Sequence, residues 1–363
     1  MTTVAPAYVV DAARPEDDAA LRAVLRATPV PGAVALTYER EPSFFAADAV
    51  LGERVETLVA REAATDAVVG LGYRALRRVW LGGEVRPTAY LGGLRVLDGH
   101  RDGRAYAAAW RAMRVRHEAD PTDLTLTSIT AENERAHRLL ACRPRGAAPA
   151  FRPVADVVTL ALPVWGWRPL RAPGTPRFSS WEQNRQVGGA SDLPKSGECR
   201  PDLFPTALAL ADLPGDPVPL LVEHDGRTVA SGALWDAAPV RQSVVRAYGA
   251  GLRRAQPFLN AVARLAGAAP LPPVGERLRS AFLVLARAEG AGAFRQLLDA
   301  ALGAARARGL AFVLVGLDAL DPRLASARRR LHVAYRSTLY AADWGDGRVL
   351  PLHRPVHVEP ATL

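Results

Sequence analysis

An internal repeat is the feature that most constrains how this chain can fold. In each half, a glycine-bearing turn leads into an amphipathic helix, a strand rich in β-branched residues and a second helix. The turn and the second helix lie 30 residues apart in the first half, from Gly103 to Asn133, and 31 apart in the second, from Gly290 to Asp321. A register kept this closely predicts a duplicated unit of structure.

Both helices that follow the turns have one apolar face, because their apolar residues recur three and four positions apart. These residues are Tyr106, Ala109, Trp110 and Met113 in the first half, and Phe294, Leu297, Leu298, Ala301 and Leu302 in the second. Residues 124–130 and 312–318 are predicted strands. Strands that alternate with helices, some of them joined by hairpin turns, predict the α/β class with a mixed α+β sheet.

The length of 363 residues exceeds the roughly 100–200 residues of a typical single domain. A segment rich in Pro, Gly and Ser divides the repeat, and its three tryptophans predict that it packs against the protein. We therefore predict an N-terminal domain over 1–164, a docked linker over 165–200 and a C-terminal domain over 201–363.

Turn signals also predict strand pairs in each half. Residues 68–99 contain two long strand-like runs separated by Gly-Gly and Arg-Pro-Thr, so they are predicted to pair as antiparallel strands. In the second half, residues 228–235 are predicted to pair with residues 243–249 in the same way.

The net charge of +9 suggests a nucleic-acid partner, but the distribution of the charges argues against it. Lys195 is the only lysine among 46 basic residues, and the arginines are interleaved with acidic residues instead of forming a basic block. The excess of arginine is typical of a bias toward GC-rich codons.

Membrane insertion and secretion are not predicted either. No window approaches the ~20 apolar residues that cross a bilayer, and the N-terminal residues lack the pattern of a signal peptide. Cys142 and Cys199 have no metal-ligand spacing. A cytoplasmic protein is the expectation.

The two glycine-bearing turns predict phosphate binding. A glycine-rich turn between a strand and a helix directs several backbone N–H groups into one concavity, and the start of the helix adds partial positive charge. Glycine is needed because a side chain would block the approach of a phosphate, and because some positions require a positive φ.

These turns resemble the pyrophosphate loop of the GNAT superfamily of acyl-CoA-dependent N-acyltransferases, which reads Q/R-x-x-G-x-G/A. RAEGAG matches it with Arg287, Gly290 and Gly292. HRDGRA supplies Gly103 and Ala105 but has a histidine in the first position; a start at Arg101 matches that position and loses the glycines. The order of elements around both turns also resembles the family, so the chain resembles two tandem GNAT domains, the second one degenerate.

The resemblance implies acetyl-CoA, or another acyl-CoA, as co-substrate and no metal. Two strands of the first half are expected to splay apart, with main-chain groups near Leu94 and Val96 binding the pantetheine arm and a main-chain N–H stabilising the thioester oxyanion. The implied cofactor contacts are Leu94, Val96, Arg101, Gly103, Arg104, Ala105 and Asn133 in the first half, with Arg287, Gly290 and Gly292 in the second.

The residues for proton transfer are less well defined. Many family members have a tyrosine where this chain has Leu140, and Tyr335 and Tyr340 are out of register with that position. Tyr90 and Asp98 lie at the two ends of the strand before the turn, so we predict them as the candidate catalytic groups, acting on the incoming ammonium.

The predicted function is transfer of an acetyl or other acyl group from acyl-CoA to an amine of a small molecule or peptide. The alternative is a non-catalytic tandem GNAT module that binds CoA as a scaffold or sensor. The second half is expected to bind cofactor or to be purely structural, and a homodimer is compatible with the sequence. His353, His357 and Glu359 are predicted to lie on a solvent-facing edge strand and not to bind metal.

Overall fold

A computed structural model describes residues 7–101, 103–141, 146–165, 201–206, 210, 213–348 and 350–362. The first half begins with β1 (Tyr8–Ala12), α1 (Asp18–Ala27), β2 (Val34–Glu39), α2 (Asp48–Leu51), β3 (Arg54–Glu62) and β4 (Val68–Leu81). It continues with β5 (Glu84–Val96), α3 (Arg104–Ala119), β6 (Leu124–Thr130), α4 (Glu134–Ala141) and β7 (Ala150–Pro163).

The second half repeats much of this order. It contains β8 (Val218–His224), β9 (Arg227–Trp235), β10 (Gln242–Tyr248), α5 (Ala250–Leu265), β11 (Ser280–Ala288), α6 (Ala291–Ala307), β12 (Phe312–Asp318), α7 (Arg323–Arg328) and β13 (Val333–Asp343). The predicted turn, helix, strand and helix are confirmed in both halves, and β6 has the predicted bounds.

Eleven strands of the described chain form one mixed sheet, in the order β1, β3, β4, β5, β6, β13, β7, β12, β11, β9 and β8. The pairs β5–β6 and β11–β12 are parallel, and the other neighbouring strands are antiparallel. The predicted antiparallel pair over residues 68–99 is confirmed as β4 and β5.

The two halves exchange their last strands within this sheet. β13 of the second half pairs with β6 of the first, and β7 of the first half pairs with β12 of the second. β13 and β7 then pair with each other at the centre. The halves that the repeat predicts are therefore continuous in one sheet, while the predicted boundaries at 164 and 201 stay a prediction.

The predicted pairing of residues 228–235 with residues 243–249 is wrong. β9 pairs with β8 and β11, whereas β10 pairs with β2 of the first half as a separate ribbon. Arg246 of this ribbon donates to the Thr37 hydroxyl at 2.9 Å and forms an ion pair with Glu39. Local turn signals identify strands but not distant partners, so the sequence could not reveal this pairing.

The helices of the first half cover opposite faces of the sheet, as the alternation of side chains along a strand requires. Val59 of β3 packs with α1, whereas its neighbours Leu58 and Ala60 pack on the side of α3. We call these sides the α1 face and the α3 face. In the second half, α6 buries one apolar face against the sheet.

Parts of the sequence predictions lie outside the described residues. These are most of the docked linker, from 166 to 200, together with Cys142 and Cys199. Among the helices that are described, none has both the length and the apolar character needed to cross a bilayer.

Candidate acyl-CoA site

A gap between β5 and β6 defines the candidate site. The two strands are paired in parallel from Thr88 and Leu124 to Tyr90 and Leu126, where the pairing ends. Beyond this point β5 stays with β4 and β6 stays with β13, so the strands diverge. This is the splay that the sequence resemblance predicts.

A β-bulge shapes β5 at the start of the gap. Two glycines, Gly92 and Gly93, occupy this position, and Gly93 has a φ of +66°. A Cβ atom on either glycine would collide with the Tyr73 ring of β4. The Gly-Gly pair is therefore required both by the backbone conformation and by the close packing of an aromatic ring on the main chain.

The predicted phosphate turn lies where the diverging strand β5 passes into α3. Gly103 is the N-cap residue of α3 with a φ of +89°, and a Cβ atom there would meet no atom within 4 Å. The first N–H groups of a helix have no partner inside it. There is therefore space beside Gly103 for an anionic group, next to Arg101 and to the buried Ala105.

The main-chain edge predicted to bind pantetheine faces the gap. Leu97 N donates to Val69 O of β4 at 2.9 Å, so alternation directs the amides and carbonyls of Leu94 and Val96 away from β4. The Leu94 carbonyl accepts from Arg95 Nη1, and the Val96 carbonyl accepts from Arg101 Nε, both at 2.8 Å. The arginine side chains thus occupy the carbonyls of this edge.

A cavity of about 410 Å³ extends through the gap to both faces of the sheet. On the α3 face its walls are mainly apolar, and they come from α3, α4 and the start of β7. They include Ala105, Tyr106, Ala109, Trp110, Met113, Asn133, Ala136, Leu139, Leu140 and Phe151. A volume of this size is typical of sites that hold small molecules or cofactors.

The α1 face of the cavity is lined by tyrosines and arginines. They are Tyr38, Arg40, Tyr73, Tyr90, Arg95, Arg241 and Tyr335. Arg241 and Tyr335 come from the second half, and Tyr335 lies on the exchanged strand β13. Among the described residues that line the cavity there is no aspartate, glutamate, histidine or lysine.

Tyr90 is the predicted catalytic residue that the fold brings to the cavity. Its hydroxyl forms a 2.6 Å hydrogen bond with Ser128 Oγ, across the point where β5 and β6 separate. Burial raises the pKa of Tyr90 to about 12, and this effect outweighs the hydrogen bond with Ser128 and the nearby Arg77. The hydroxyl therefore keeps its proton at neutral pH.

Asp98, the other predicted catalytic residue, is turned to solvent. Its side chain is 85% exposed and forms an ion pair with Arg101. It does not line the cavity. Asp98 lies two residues after the end of β5, which placed it near the predicted site in the sequence. In the structure it belongs to the short helix Asp98–His100, and its side chain is exposed.

The start of α4 borders the cavity as predicted. Asn133 Oδ1 accepts from the Ala136 amide at 3.2 Å, which is the hydrogen bond of an N-cap. Leu140, in the position where many GNAT proteins have tyrosine, is buried in the cavity wall. Apart from Tyr106 of α3, the tyrosines that line the cavity come from the sheet and from β2.

Sequence reasoning missed the three arginines of the α1 face. Arg95 interrupts the apolar run GGLRVL, and this charge in a strand was the available signal. Arg40 and Arg241 follow or precede the strands of the β2–β10 ribbon, so they reach the cavity only through a pairing between distant segments. No local motif marks them.

The corresponding gap in the second half is filled by the chain itself. β11 and β12 also pair in parallel only as far as Phe282 and Leu314. Beyond that point the Glu359 carboxylate accepts from the Leu285 amide at 2.7 Å. A Cβ atom at Gly316 would come within 3.0 Å of Pro360 and Val358. The C-terminal segment therefore lies where a pantetheine arm would have to enter.

The second turn retains an open helix start without an open gap. Gly290 is the N-cap residue of α6, and Cβ atoms at Gly290 and Gly292 would meet no atom within 4 Å. The guanidinium carbon of Arg287 lies 4.1 Å from the Phe204 ring centroid. The expectation of a purely structural second half fits this geometry better than that of a second cofactor site.

The predicted edge strand near the C-terminus is wrong. His357 and Glu359 are buried in a non-strand segment and contact each other at 2.7 Å, because this segment packs into the second gap. Only His353 of the three is exposed, beside Asp202. Within the described chain, no group of three His, Cys, Asp or Glu side chains is arranged to hold a metal ion.

Comparison with solved structures gives the fold. Saccharomyces cerevisiae N-myristoyltransferase with bound myristoyl-CoA matches with a TM-score of 0.54 at 11% identity, over 94% of this chain and 80% of that chain. A second structure of that enzyme with myristoyl-CoA matches with a TM-score of 0.53 at 10% identity, over 94% and 84%. No family model and no curated protein sequence matches the chain.

At such identities the likeness establishes the fold alone. The chain shares the fold of these N-myristoyltransferase structures, in agreement with the fold of two tandem units that the two turns predict. The match covers nearly the whole chain, so it includes both units.

Proposed function

We propose that the chain is an acyl-CoA-dependent N-acyltransferase whose first half carries the reaction, with acetyl-CoA as the first donor to test. The observation that supports this most is the gap beyond Tyr90 and Leu126, which opens into a cavity beside the Gly103 turn. The yeast enzyme of the same fold is described with bound myristoyl-CoA, which supports an acyl-CoA donor.

In the proposed reaction, the first turn of α3 binds the diphosphate of the donor through its main-chain N–H groups and the helix dipole. The gap-facing edge of β5 at Leu94 and Val96 aligns the pantetheine arm. An amide of this edge stabilises the oxyanion that forms when the amine nitrogen attacks the thioester carbonyl carbon.

The attack forms a C–N bond, and collapse of the intermediate breaks the C–S bond with its electron pair passing to sulfur. The acceptor must be a neutral amine, so its ammonium form first loses a proton to water. Three guanidinium groups on the α1 face favour this loss, because nearby positive charge lowers the pKa of an ammonium group. After the attack the nitrogen carries an extra proton, which it releases. The thiolate takes up one proton, so CoA leaves as the thiol and the product amide is neutral.

Tyr90 is assigned to the leaving thiolate in this scheme and not to the ammonium. With a pKa of about 12 its hydroxyl is a proton donor at neutral pH and a poor base. Asp98 has no role in the proposal, because its exposed carboxylate is paired with Arg101 outside the cavity.

Binding of acetyl-CoA tests the proposal directly. Acetyl-CoA at about 100 times its Kd is expected to stabilise the protein by about 2.7 kcal/mol, measured as a shift in thermal unfolding. Gly103→Leu should abolish this shift because the side chain fills the phosphate turn. Gly292→Leu should leave it intact, since the second gap is filled.

A matched control separates loss of binding from backbone strain. Gly83 lies in the β4–β5 turn with a φ of +84°, close to the +89° of Gly103, and also has open space around it. Gly83→Leu should therefore destabilise the protein as much as Gly103→Leu without changing the acetyl-CoA shift. A wild-type protein that neither binds acetyl-CoA nor releases CoA with any amine would refute the proposal. Binding without transfer would favour the scaffold or sensor alternative.

A further inference from the structure

The α1 face of the cavity concentrates positive charge in a buried place. Arg40 is only 8% exposed, and its guanidinium carbon lies 4.4 Å from the Phe44 ring centroid and 5.1 Å from that of Tyr73. Arg241 lies over the Tyr38 ring at 4.8 Å and donates to Ala361 O at 3.0 Å. Arg95 is opposite Leu71, which packs with α1, so it belongs to the same face.

Among the described residues, few carboxylates lie near Arg40 and Arg95. The carboxylate closest to Arg40 is that of Asp48, at 3.8 Å, and burial raises the pKa of Asp48 to about 6 despite the opposing effect of Arg40. Arg95 forms no ion pair with any residue that the structure describes, and its one hydrogen bond is to the neighbouring carbonyl of Leu94. No carboxylate lines the cavity among those residues.

Arg95 lines the cavity without an ion pair to any described residue, and removing a charged group from water without a partner is costly, so an anion in the cavity would stabilise it. Guanidinium groups bind carboxylates and phosphates through paired hydrogen bonds. The donor's diphosphate is proposed to lie at the Gly103 turn, which belongs to α3 on the opposite face of the sheet. The arginines therefore face the part of the cavity that remains for the acceptor.

We propose that the acceptor amine carries an anionic group, a carboxylate or a phosphate, which Arg40, Arg95 and Arg241 bind on the α1 face. This inference rests on the proposed N-acyltransferase function and narrows its substrate class. The same charges serve two purposes: they hold the anionic group and they favour the neutral form of the amine that attacks.

Matched pairs of amines test the inference. With acetyl-CoA as donor, amino acids are compared with their primary amides, and phosphoethanolamine is compared with ethanolamine. The measured quantity is the rate of CoA release, divided by the concentration of the amine in its neutral form. The anionic member of each pair should have a kcat/KM at least about tenfold higher, as expected for one hydrogen bond to a charged group. A pair in which the neutral member reacts equally well or better would overturn the inference and leave the transferase function intact.

Arginine variants identify the residues responsible. Arg95→Gln should remove the preference by raising KM for the anionic amine, while the thermal shift with acetyl-CoA stays unchanged. Arg95→Lys should restore part of it. Arg227→Gln, which removes an exposed arginine of the distant β9 ion-paired with Glu289, serves as the control. If Arg95→Gln weakens acetyl-CoA binding to the same extent, the guanidinium binds the donor's phosphates and the inference is wrong.

Binding decides the case in which no amine of the panel is acylated. The anionic amines should then stabilise the CoA complex more than their neutral counterparts, and this difference should vanish in Arg95→Gln. Equal stabilisation by both members would overturn the inference. Failure of acetyl-CoA itself to bind is a separate result, which counts against the proposed function.

Discussion

At the residue scale, Tyr90 has two separable roles in the proposal: it joins β5 to β6 where the two strands diverge, and it donates a proton. Its ring centroid lies 5.3 Å from the guanidinium carbon of Arg77, and its hydroxyl joins β5 to β6 through Ser128. The hydrogen bond fixes where the strands part. The proton on the same hydroxyl is available to a leaving thiolate.

Two substitutions distinguish these roles. Tyr90→Phe is expected to lower kcat about 100-fold by removing a general acid, with little change in acetyl-CoA binding. Ser128→Ala removes the same hydrogen bond but keeps the tyrosine proton, so it should cost only about 1 kcal/mol of stability. Steady-state kinetics and urea unfolding measure the two effects. Equal losses of kcat in both variants would mean that Tyr90 acts only by joining β5 to β6.

The residues of the site differ in how far sequence could predict them. Sequence could predict Gly103 and Ala105 at the start of α3 and Asn133 at the start of α4, because local backbone geometry dictates the residue type at such positions. Arg40 and Arg241 depend on the pairing of β2 with β10, which joins segments about 200 residues apart. Asp98 does not line the cavity, because it lies in the short helix Asp98–His100 with its carboxylate exposed and paired with Arg101.

At the level of elements, the buried carboxylate of Asp318 is one of the groups that hold the C-terminal segment in the second gap. Asp318 of β12 accepts hydrogen bonds from Arg354, from the Leu320 amide and, at 3.0 Å, from the Val356 amide. Burial alone would raise the pKa of Asp318, but these hydrogen bonds outweigh it and lower the pKa. The carboxylate is therefore a stabilising anchor in its ionised form.

Asp318→Asn is expected to lower the free energy of unfolding by about 3 kcal/mol, because it leaves Arg354 without its buried partner. Residues 353–362 should also exchange amide hydrogens faster. Glu53→Gln, which breaks the exposed pair with Arg78, should cost less than about 1 kcal/mol. An unchanged exchange rate in Asp318→Asn would contradict the anchoring role.

The same carboxylate gives a pH dependence with a defined sign. Because the folded pKa lies below the unfolded value of 3.8, the stabilisation is complete above that value and is lost as the pH falls through the folded pKa. The free energy of unfolding of the wild type, measured with urea, should therefore decrease steeply below about pH 4. The Asn variant should show a shallower decline over the same range.

The elements themselves were largely predictable, whereas their partners were not. Apolar periodicity identified α3 and α6, and β-branched runs identified β6 and β12. These signals are local. The order β6, β13, β7, β12 depends on burial of both faces of the central sheet by residues far apart in sequence, and no turn or period records it.

For the whole molecule, the exchanged strands make the halves dependent on each other. Without the second half, residues 1–164 lack β13, so β6 becomes an edge strand and β7 loses both of its neighbouring strands. Residues 201–363 likewise lack β7 beside β12. We therefore expect neither fragment to unfold cooperatively alone, and coexpression of the two to restore acetyl-CoA binding. Cooperative thermal unfolding of the isolated 1–164 fragment would contradict this expectation.

Because of the strand exchange, the cavity walls that face the proposed donor and the proposed acceptor are encoded partly in different regions of the gene. The walls that face the proposed donor are encoded between Tyr90 and Phe151, whereas part of the opposite wall, including Arg241 and Tyr335, is encoded downstream of residue 235. Under the proposed function, substitutions in the second half can therefore change which amine is acylated. The residues proposed to bind the nucleotide part of the donor would stay unchanged. In the proposed reaction the second half, whose own gap is filled, thus contributes to the choice of acceptor in the first half.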